Sequence, residues 1–370
     1  MALRIGVAGL RRGASLAHVL QLRPDCELAA VCDLDAERAR AFARQHGVPQ
    51  WFEDYGALLG APLDAIVVAT PAPTHVDCTV QALRAGKHVL CEVPACWTVA
   101  EARQLVATVR ASSRRYMLAE NMCYFAYCQA YRDMIRQGDI GEPVYVEGEY
   151  IHNCETLMVA AGPDGRPQRT WRAHLPPIHY CTHELGPILQ WLDDRIVSAV
   201  GLHTGNRRRP DLGCIDLEVG LFRTARGRLV KVLCGFSVAK EPAHHWFTVY
   251  GTEGHLESPR WPDGEHRLQS PRLPHQHAHA RLALGVDHPG APPEARAGGH
   301  GTSEYFMCDD FVRSVLEDRD PPLDVFAGLD MTLPGICAHQ SAAQGGQPVP
   351  VPDPRAWTGE GASGTEACDR

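Results

Sequence analysis

Long apolar segments are absent from this chain of 370 residues. No apolar run approaches the roughly 20 residues that a membrane-spanning helix needs, so we expect no membrane partner. A secretory signal is also lacking, because Leu3 opens directly into an apolar run of strand length, and this favours a cytoplasmic protein. Acidic residues outnumber basic ones, and the formal net charge of −8 argues against nucleic acid as a partner.

Paired cysteines are a second absence. The fourteen cysteines are scattered, mostly within apolar stretches, and no two are spaced as C-x-x-C. This pattern indicates reduced thiols and not a disulfide framework. Histidines alternate at His275, His277 and His279, but they lie in a region rich in proline and glycine with no adjacent carboxylate. We therefore predict no metal site.

The first 33 residues have the layout of a dinucleotide-binding βαβ unit. An apolar run from Leu3 breaks at Gly9, a helical pattern follows, and a second apolar run ends at Asp33. In such a unit the turn holds a pyrophosphate at the helix N-terminus, and the acid binds the adenosine ribose. Arg11 replaces the middle glycine of G-x-G-x-x-G/A, so a βα corner without a ligand remains an alternative. Asp33 favours NAD over NADP, because a carboxylate repels a 2′-phosphate.

The rest of the chain predicts two domains. Apolar strands alternate with helical patterns up to residue 122, which predicts an α/β fold with an N-terminal Rossmann domain, a doubly wound parallel sheet of six strands. Residues 123–350 then show successive strand-like stretches with few helices, typical of a C-terminal α+β domain with a large antiparallel sheet. We expect residues 259–299 to form a long irregular loop and residues 351–370 to form a disordered tail.

Residues 66–98 read IVVATPAPTHVDCTVQALRAGKHVLCEVPACWT. This segment closely resembles the corresponding part of the Gfo/Idh/MocA family of NAD(P)-dependent sugar and cyclitol oxidoreductases. The resemblance implies a nicotinamide along the edge of the parallel sheet and a substrate held by the second domain. With the glycine turn, it gives these candidate cofactor-binding residues: Gly9, Arg11, Arg12, Gly13, Asp33, Thr70, Pro71, His75, Glu92 and Pro94.

One position departs from the pattern of this family. Its dehydrogenases usually carry Glu-Lys-Pro where this chain has Glu92-Val93-Pro94, and the lysine helps to polarise the substrate hydroxyl. Valine neither donates a hydrogen bond nor titrates, so simple alcohol oxidation lacks one expected catalyst.

A branch of the family that lacks this lysine, the NAD-dependent α-N-acetylgalactosaminidases, cleaves glycosides without net redox change. Several stretches of the chain resemble that branch: ENMCY at 120–124, GEYIH at 148–152, WR at 171–172, YCTHELGP at 180–187, GHG at 299–301 and PLDV at 322–325. The resemblance implies catalytic roles for Glu120, Tyr150, Tyr180 and His183, and substrate contacts for His152, Trp171, Arg172 and His300. A further tyrosine of the branch, expected just before Phe247, is missing.

The residues themselves are compatible with acid–base chemistry. Tyr180 and His183 are three positions apart in a predicted helix and share one face, and Glu120 follows the last parallel strand, where ligands gather. We expect His183, or a water that it holds, to take a proton from a sugar hydroxyl. Tyr150, as a phenolate with a lowered pKa, would remove the proton from the neighbouring carbon. The alternatives are a capping role for His183, a sheet position for Tyr150 and a Glu120–Arg172 ion pair.

Three functions remain open at this point. The favoured one is redox-neutral cleavage of a glycoside with tightly held NAD(H), in which oxidation, elimination and re-reduction follow each other. The second is a simple sugar or cyclitol dehydrogenase, or an epimerase, and the third is a non-catalytic NAD-binding regulator. We expect a homodimer or homotetramer, because the antiparallel sheet would leave one face exposed.

Overall fold

The N-terminal part of the chain forms a six-stranded parallel sheet. The computed structural model describes residues 2–162, 165–274 and 278–358. The strands are β1 (Leu3–Ala8), β2 (Cys26–Cys32), β3 (Gln50–Phe52), β4 (Ala65–Val68), β5 (His88–Cys91) and β6 (Tyr116–Leu118). Their order β3-β2-β1-β4-β5-β6 is that of a doubly wound dinucleotide-binding sheet. The predicted Rossmann domain is confirmed.

Five helices flank this sheet: α1 (Gly13–Gln21), α2 (Ala36–His46), α3 (Tyr55–Gly60), α4 (His75–Arg84) and α5 (Val99–Ala111). Their starts follow from local side chains. Asp35 and Asp54 accept backbone N–H groups at the starts of α2 and α3, and Thr98 with Glu101 forms a capping box at α5. No side chain caps α1, and in its first turn the N–H groups of Gly13 and Ser15 donate to the carbonyls of Gly9 and Arg12, which leaves the N–H of Ala14 to bind an anion.

The second domain contains a nine-stranded sheet in the order β16-β15-β14-β13-β7-β12-β11-β10-β17. Its strands are β7 (Pro143–Ile151), β10 (Ile196–His203), β11 (Leu217–Thr224), β12 (Leu229–Gly235), β13 (His244–Gly251), β14 (His255–Glu257), β15 (His266–Gln269), β16 (Ala280–Leu282) and β17 (Val349–Pro350), with a separate hairpin of β8 (Val159–Ala161) and β9 (Pro167–Arg169). Neighbours are antiparallel except β7 and β12, which run parallel, so the sheet is mixed. The chain between these two strands brings β12 back so that it runs in the same direction as β7.

Four further helices belong to this part of the chain: α6 (Ala126–Arg136), α7 (Thr182–Leu192), α8 (Ser303–Leu316) and α9 (Val325–Ala343). Helix α9 lies against β10 and β11 and also contacts β6 and α5 of the first domain. Helix α7 approaches β7 closely at Gly148, where a β-carbon would lie 2.8 Å from Cγ of Glu184. The glycine therefore brings α7 and its side chains onto the inner face of the sheet.

Two expectations about loops differ from the structure. The region 259–299 was predicted to be irregular, but β15 and β16 extend the sheet there and residues Pro293–Gly298 form a 3₁₀ helix. His266 is buried within this region and lies 2.9 Å from the hydroxyl of Tyr131, which explains how a polar edge segment packs on the core. Residues 351–358 are ordered as well, since the N–H of Val351 donates to Val197 and Arg355 pairs with Asp330. The remainder of the predicted tail, 359–370, lies outside the described residues.

Candidate active site

Side chains from both domains meet at the carboxyl ends of the parallel strands. The glycine turn after β1 contributes Arg12, and the chain after β5 and β6 contributes Glu92 and Glu120. Strands β7 and β13 and helices α7 and α8 supply the opposing groups. This edge of the sheet is where open α/β folds bind ligands.

Gly9 shapes the turn that follows β1. Its φ of +88° lies in the left-handed region, and a β-carbon there would stand 2.3 Å from the carbonyl oxygen of Ala69. Only glycine fits both conditions. Asp33 fixes the same turn from β2, because its Oδ2 accepts the N–H of Leu10 at 2.8 Å. The other oxygen of Asp33 accepts from Arg38 at 2.9 Å.

The two arginines of the turn behave differently. Arg11 is exposed and makes no hydrogen bond or ion pair with another described residue. Arg12 crosses to the second domain, with Nε 2.8 Å from Glu92 and Nη2 3.0 Å from Glu304. Burial alone would lower the pKa of Arg12, but the two carboxylates outweigh it and raise the pKa.

Glu304 is the centre of this bridge and was not among the residues singled out in the sequence. Its carboxylate is fully buried and accepts from Arg12, from Ser303 Oγ at 3.1 Å and from His300 Nδ1 at 2.5 Å. Burial by itself raises the pKa of Glu304, but the hydrogen bond from His300 and the charge of Arg12 lower it to about 2. His300, predicted to bind substrate, keeps about half of its side chain exposed.

The remaining predicted cofactor residues lie beside the turn. Thr70 is half-buried, Pro71 is exposed, and Glu92 and Pro94 are buried. His75 is buried with Nδ1 2.9 Å from the carbonyl of Pro94 and Nε2 2.9 Å from that of Thr70. Both ring nitrogens of His75 are therefore occupied by the backbone, and the side chain positions the turn without facing the cleft.

Glu120 and His183 form the first of two glutamate–histidine pairs. The Nδ1–H of His183, in the first turn of α7, donates to Oε1 of the fully buried Glu120 at 2.7 Å. A carboxylate at Nδ1 holds the imidazole in the tautomer that leaves Nε2 as an acceptor. Neither the capping alternative for His183 nor the Glu120–Arg172 pair is present, because Glu120 bonds to His183 and no side chain caps α7.

Tyr150 contacts three histidines of the site, His152, His183 and His245. Its ring stacks on His245 with 4.3 Å between centroids and meets His183 edge-on at 5.2 Å. Its hydroxyl is hydrogen-bonded to Nδ1 of His152 at 3.1 Å. Burial raises the pKa of Tyr150 well above its ordinary value, with Arg172 only partly opposing it. The chain alone therefore does not give Tyr150 the lowered pKa that was expected for a phenolate base.

Tyr180, Trp171 and Arg172 form an aromatic and cationic wall. The guanidinium of Arg172 lies 4.6 Å from the ring centroid of Trp171 and 5.6 Å from that of Tyr180. Tyr180 in turn meets His183 edge-on at 5.6 Å. Burial raises the pKa of Tyr180, partly offset by Arg172. The structure therefore brings the four predicted catalytic residues and Trp171, Arg172 and His152 into one cluster.

A second glutamate–histidine pair was missed in the sequence. Glu184 follows His183 in α7, and its Oε1 accepts from Nδ1 of His245 on β13 at 2.7 Å. His245 stands close to where the branch was expected to place its missing tyrosine, just before Phe247. Alternation along the strand could have pointed to His245. Phe247 and Val249 are buried on the inner face, and His245, two positions before Phe247, lies on the same face.

Metal ligation and disulfides have little support in the described part of the chain. No group of three or more His, Cys, Asp or Glu side chains is placed there to hold a metal ion. His275 and His277 lie outside the described residues. The thirteen cysteines that the structure covers form no disulfide with one another. Within the same ranges, no helix has both the length and the apolar character needed to cross a membrane.

Comparison with known proteins supports the assignment of both domains. Residues 3–120 match the oxidoreductase family with an NAD-binding Rossmann fold, and residues 128–257 match a Gfo/Idh/MocA C-terminal domain. The chain belongs to the Gfo/Idh/MocA family. Residues 214–358 also match the C-terminal domain of glycosyl hydrolase 109. The resemblance inferred from the motifs is confirmed, and the chain is an enzyme that uses NAD.

Individual relatives agree with this assignment. The chain is 28% identical to glycosyl hydrolase family 109 protein 2 of Phocaeicola vulgatus, covering 95% of this chain and 94% of the relative. It is 30% identical to an α-N-acetylgalactosaminidase of Bacteroides fragilis, over 60% of this chain and 54% of the relative. Levoglucosan dehydrogenase, solved with NADH and L-sorbose, is 19% identical with a TM-score of 0.79, covering 95% of this chain and all of that one. That likeness shows the fold.

The residues of the cleft fit NAD. Gly9 allows the backbone turn, the first turn of α1 offers the N–H of Ala14 to a diphosphate, and Asp33 lies at the end of β2 where the adenosine ribose binds. Oε2 of Glu120 is buried and has no partner among the described residues, so this acceptor remains for a ligand. Arg12 lies between the glycine turn and the second domain.

Proposed function

We propose that this enzyme cleaves a glycoside with NAD as a catalytic cofactor and no net oxidation. The observation that carries the proposal is the Glu120–His183 pair, placed beside Tyr150 and Tyr180 in a site whose Glu-x-Pro segment has the buried Val93. The match of residues 214–358 to the glycosyl hydrolase 109 C-terminal domain supports it. The favoured substrate class is an α-N-acetylgalactosaminide, after the relative that bears that name.

His183 performs the first proton transfer in this proposal. Its Nε2 makes no hydrogen bond to another described residue, and the buried Glu120 stabilises the imidazolium that forms when Nε2 accepts a proton. The substrate hydroxyl gives that proton to Nε2 as its carbon becomes a ketone. Bound NAD supplies the hydride acceptor and later the hydride donor. The ketone acidifies the neighbouring C–H, and in this proposal Tyr150, acting as a phenolate, takes that proton. The glycosidic oxygen is then eliminated, water adds and the ketone returns to the alcohol.

Val93 separates this proposal from a simple dehydrogenase. It is 3% exposed and lies directly after Glu92, whose carboxylate binds Arg12. The side chain offers no proton at this point, so the site retains His183 as the base for the hydroxyl. A sugar or cyclitol dehydrogenase that uses His183 alone is the second candidate, and its product would accumulate together with NADH.

Arg172, Trp171 and Tyr180 are proposed to bind the sugar. An aromatic face with an adjacent guanidinium packs against C–H groups and donates hydrogen bonds to oxygen atoms at the same time. Arg172 makes no ion pair with another described residue, so the N–H groups that do not bond to Tyr180 are available to a substrate carbonyl or hydroxyl. His152 and the exposed His300 lie on the same side and complete the proposed substrate contacts.

Turnover of an aryl α-N-acetylgalactosaminide in D₂O tests the function. We expect one deuterium on the carbon next to the oxidised one, none on the oxidised carbon, and no accumulation of NADH. Stoichiometric NADH would instead support the dehydrogenase, and sugar-dependent binding without either product would support a regulator. Cleavage without deuterium at the neighbouring carbon would rule out elimination.

A pair of variants links this activity to the proposed base. His183→Ala should lower kcat by roughly 10²–10⁴-fold, the usual contribution of a general base, while the bound nucleotide content stays the same. His203→Ala, at the exposed end of β10, is the matched control and should retain wild-type activity. Equal activities of the two variants would remove His183 from the mechanism.

Association of two or four copies is part of the proposal. The face of the large sheet that α7 and α9 leave uncovered exposes Leu202, Leu221, Leu229 and Tyr250, each by roughly half of its surface. Apolar side chains on neighbouring strands form a surface suited to a second copy of the same sheet. Light scattering should give a mass of two or four chains, and Leu221→Lys should reduce it, whereas a monomer at working concentration would contradict this.

We also propose a reducing compartment, the cytoplasm, as the location. The described part of the chain contains thirteen cysteines that form no disulfide with one another, most of them buried in the core. Burial raises the pKa of several of these thiols, including Cys91 and Cys123, so they remain protonated and unreactive. Cell fractionation with an antibody to the protein would test this location.

A further inference from the structure

The active site contains a second glutamate–histidine pair, formed by Glu184 and His245. The two pairs have the same geometry: in each, an oxygen of a buried glutamate lies 2.7 Å from Nδ1 of the histidine, and Nε2 of each histidine makes no hydrogen bond to another described residue. The ring centroids of His183 and His245 are 5.6 Å apart. The ring of Tyr150 contacts both. Two histidines thus lie within reach of one bound sugar.

The environment of Glu184 differs from that of an ordinary carboxylate. Its side chain is fully buried, no arginine or lysine forms an ion pair with it, and Oε2 has no partner among the described residues. Gly148 leaves only enough room for its methylene groups. A carboxylate in such surroundings is poorly stabilised, whereas a carboxylic acid is tolerated, because it carries no charge and donates one hydrogen bond to Nδ1 of His245.

The electrostatics of the pair agree with this geometry. Burial, followed by the nearby Glu120, raises the pKa of Glu184 well above its ordinary value. Burial, followed by the neighbouring His183, lowers the pKa of His245 well below its ordinary value. The pair therefore holds its proton on Glu184, and the neutral imidazole of His245 carries its hydrogen on Nε2. Environments that shift the pKa values of two neighbouring groups in opposite directions are typical of residues that act as acid and base in catalysis.

We propose that His245, held by Glu184, is the general acid that protonates the departing glycosidic oxygen, while His183 is the base for the hydroxyl. The inference rests on the redox-neutral function proposed above. As the C–O bond breaks, its electron pair passes to oxygen and Nε2–H of His245 transfers its proton there, so the leaving group departs as a neutral alcohol. Nδ1 of His245 takes the proton of Glu184, which becomes a carboxylate. The electron pair of the adjacent carbanion forms the new C=C bond.

The position of Tyr150 is consistent with this division. Its hydroxyl is already hydrogen-bonded to His152, and its ring stacks on His245 and meets the edge of His183, while the two imidazoles also meet each other edge-on. A phenol held in this way orients both imidazoles. The proton for the leaving group then comes from His245, whereas the proton of the substrate hydroxyl has gone to His183.

Leaving-group dependence tests the proposal. Loss of a general acid matters most for a leaving group that departs poorly without a proton. For His245→Gln we expect release of an alkyl alcohol to fall by roughly 10²–10⁴-fold, and release of 4-nitrophenol to fall by less than about tenfold. With the alkyl glycoside the variant should also accumulate NADH, because oxidation proceeds and expulsion stalls.

Two further variants make the result specific. Glu184→Gln keeps a group that hydrogen-bonds Nδ1 but has no proton to relay, so it should reproduce the selective loss even if His245→Gln folds poorly. His244→Gln is the matched control, since His244 is the adjacent residue on β13 and pairs with Glu149 at 3.5 Å. It should leave the ratio of the two substrates unchanged.

The outcomes separate this inference from the proposed function. Equal losses on both substrates, or none, in His245→Gln and Glu184→Gln would overturn the general acid while leaving redox-neutral cleavage intact. Failure of the wild type to cleave either glycoside would overturn both. A raised 4-nitrophenyl to alkyl ratio in the two dyad variants, and not in His244→Gln, would support the assignment.

Discussion

Glu304→Gln should change how the stability of the protein depends on pH. The buried carboxylate binds Arg12, Ser303 and His300, and its pKa is lowered from 4.5 to about 2. At about 1.4 kcal/mol per pH unit, this corresponds to about 3 kcal/mol in favour of the ionised, folded form. Because the folded pKa is the lower one, this stabilisation is complete above the unfolded pKa and is lost as the pH falls toward about 2. The glutamine cannot ionise and lacks this dependence.

Denaturant unfolding between about pH 6 and about pH 3 measures the effect. The free energy of unfolding should be followed by both tryptophan fluorescence and circular dichroism, because a two-domain chain needs coincident transitions for a two-state analysis. The advantage of wild type over Glu304→Gln should shrink by about 2 kcal/mol across this range. Glu317→Gln, at the exposed end of the same helix, is the control and should show a small difference that does not vary with pH. A constant difference for Glu304→Gln would refute the reasoning.

Three other substitutions probe separate parts of the site. Gly9→Ala, whose β-carbon would lie 2.3 Å from the oxygen of Ala69, should cost about 1–3 kcal/mol of stability and weaken NAD binding in calorimetry, whereas Gly60→Ala, with open space around it, should do neither. Val93→Lys places a titratable group beside the substrate hydroxyl, and NADH should then appear together with an oxidised product in absorbance assays. Arg172→Leu removes N–H donors but keeps apolar bulk, so steady-state kinetics should show KM raised about tenfold or more with a smaller change in kcat.

The parallel sheet was accessible from the sequence through periodicity, and the placement of Glu120 and His183 in one site was accessible through motifs of the resembling family, although their hydrogen bond was not predicted. Fully apolar strands alternating with capped helices allow few topologies, and that topology places Glu120 at the ligand edge. The predicted shared helix of Tyr180 and His183 was wrong, because Tyr180 ends the 3₁₀ helix Pro177–Tyr180 and only His183 lies in α7, although the two rings still meet at 5.6 Å. The confirmed fold and family therefore follow from periodicity together with a few motifs.

Contacts between residues that are far apart in the sequence could not be predicted in this way. Arg12 and Glu304 are 292 positions apart, and the sequence contains no periodic signal that pairs them. Glu184 and His245 meet only because Gly148 lets α7 approach β7, which lies beside β13 in the sheet. The strands β15 and β16 were missed because edge strands of three or four residues with polar side chains resemble loops.

Adjacent positions in α7 connect the two acid–base pairs mechanically. His183 supplies the imidazole of one pair and Glu184 the carboxyl of the other, so a single peptide unit sets where both pairs stand. Successive residues of a helix are rotated by about 100°, and a slip of one residue would turn the imidazole toward β13 and the carboxyl away from it. Any displacement of this part of α7 therefore alters the geometry of both pairs at the same time. An insertion or deletion in the turn before α7 would disable both together, and compensation by repacking only one of them would not restore the site.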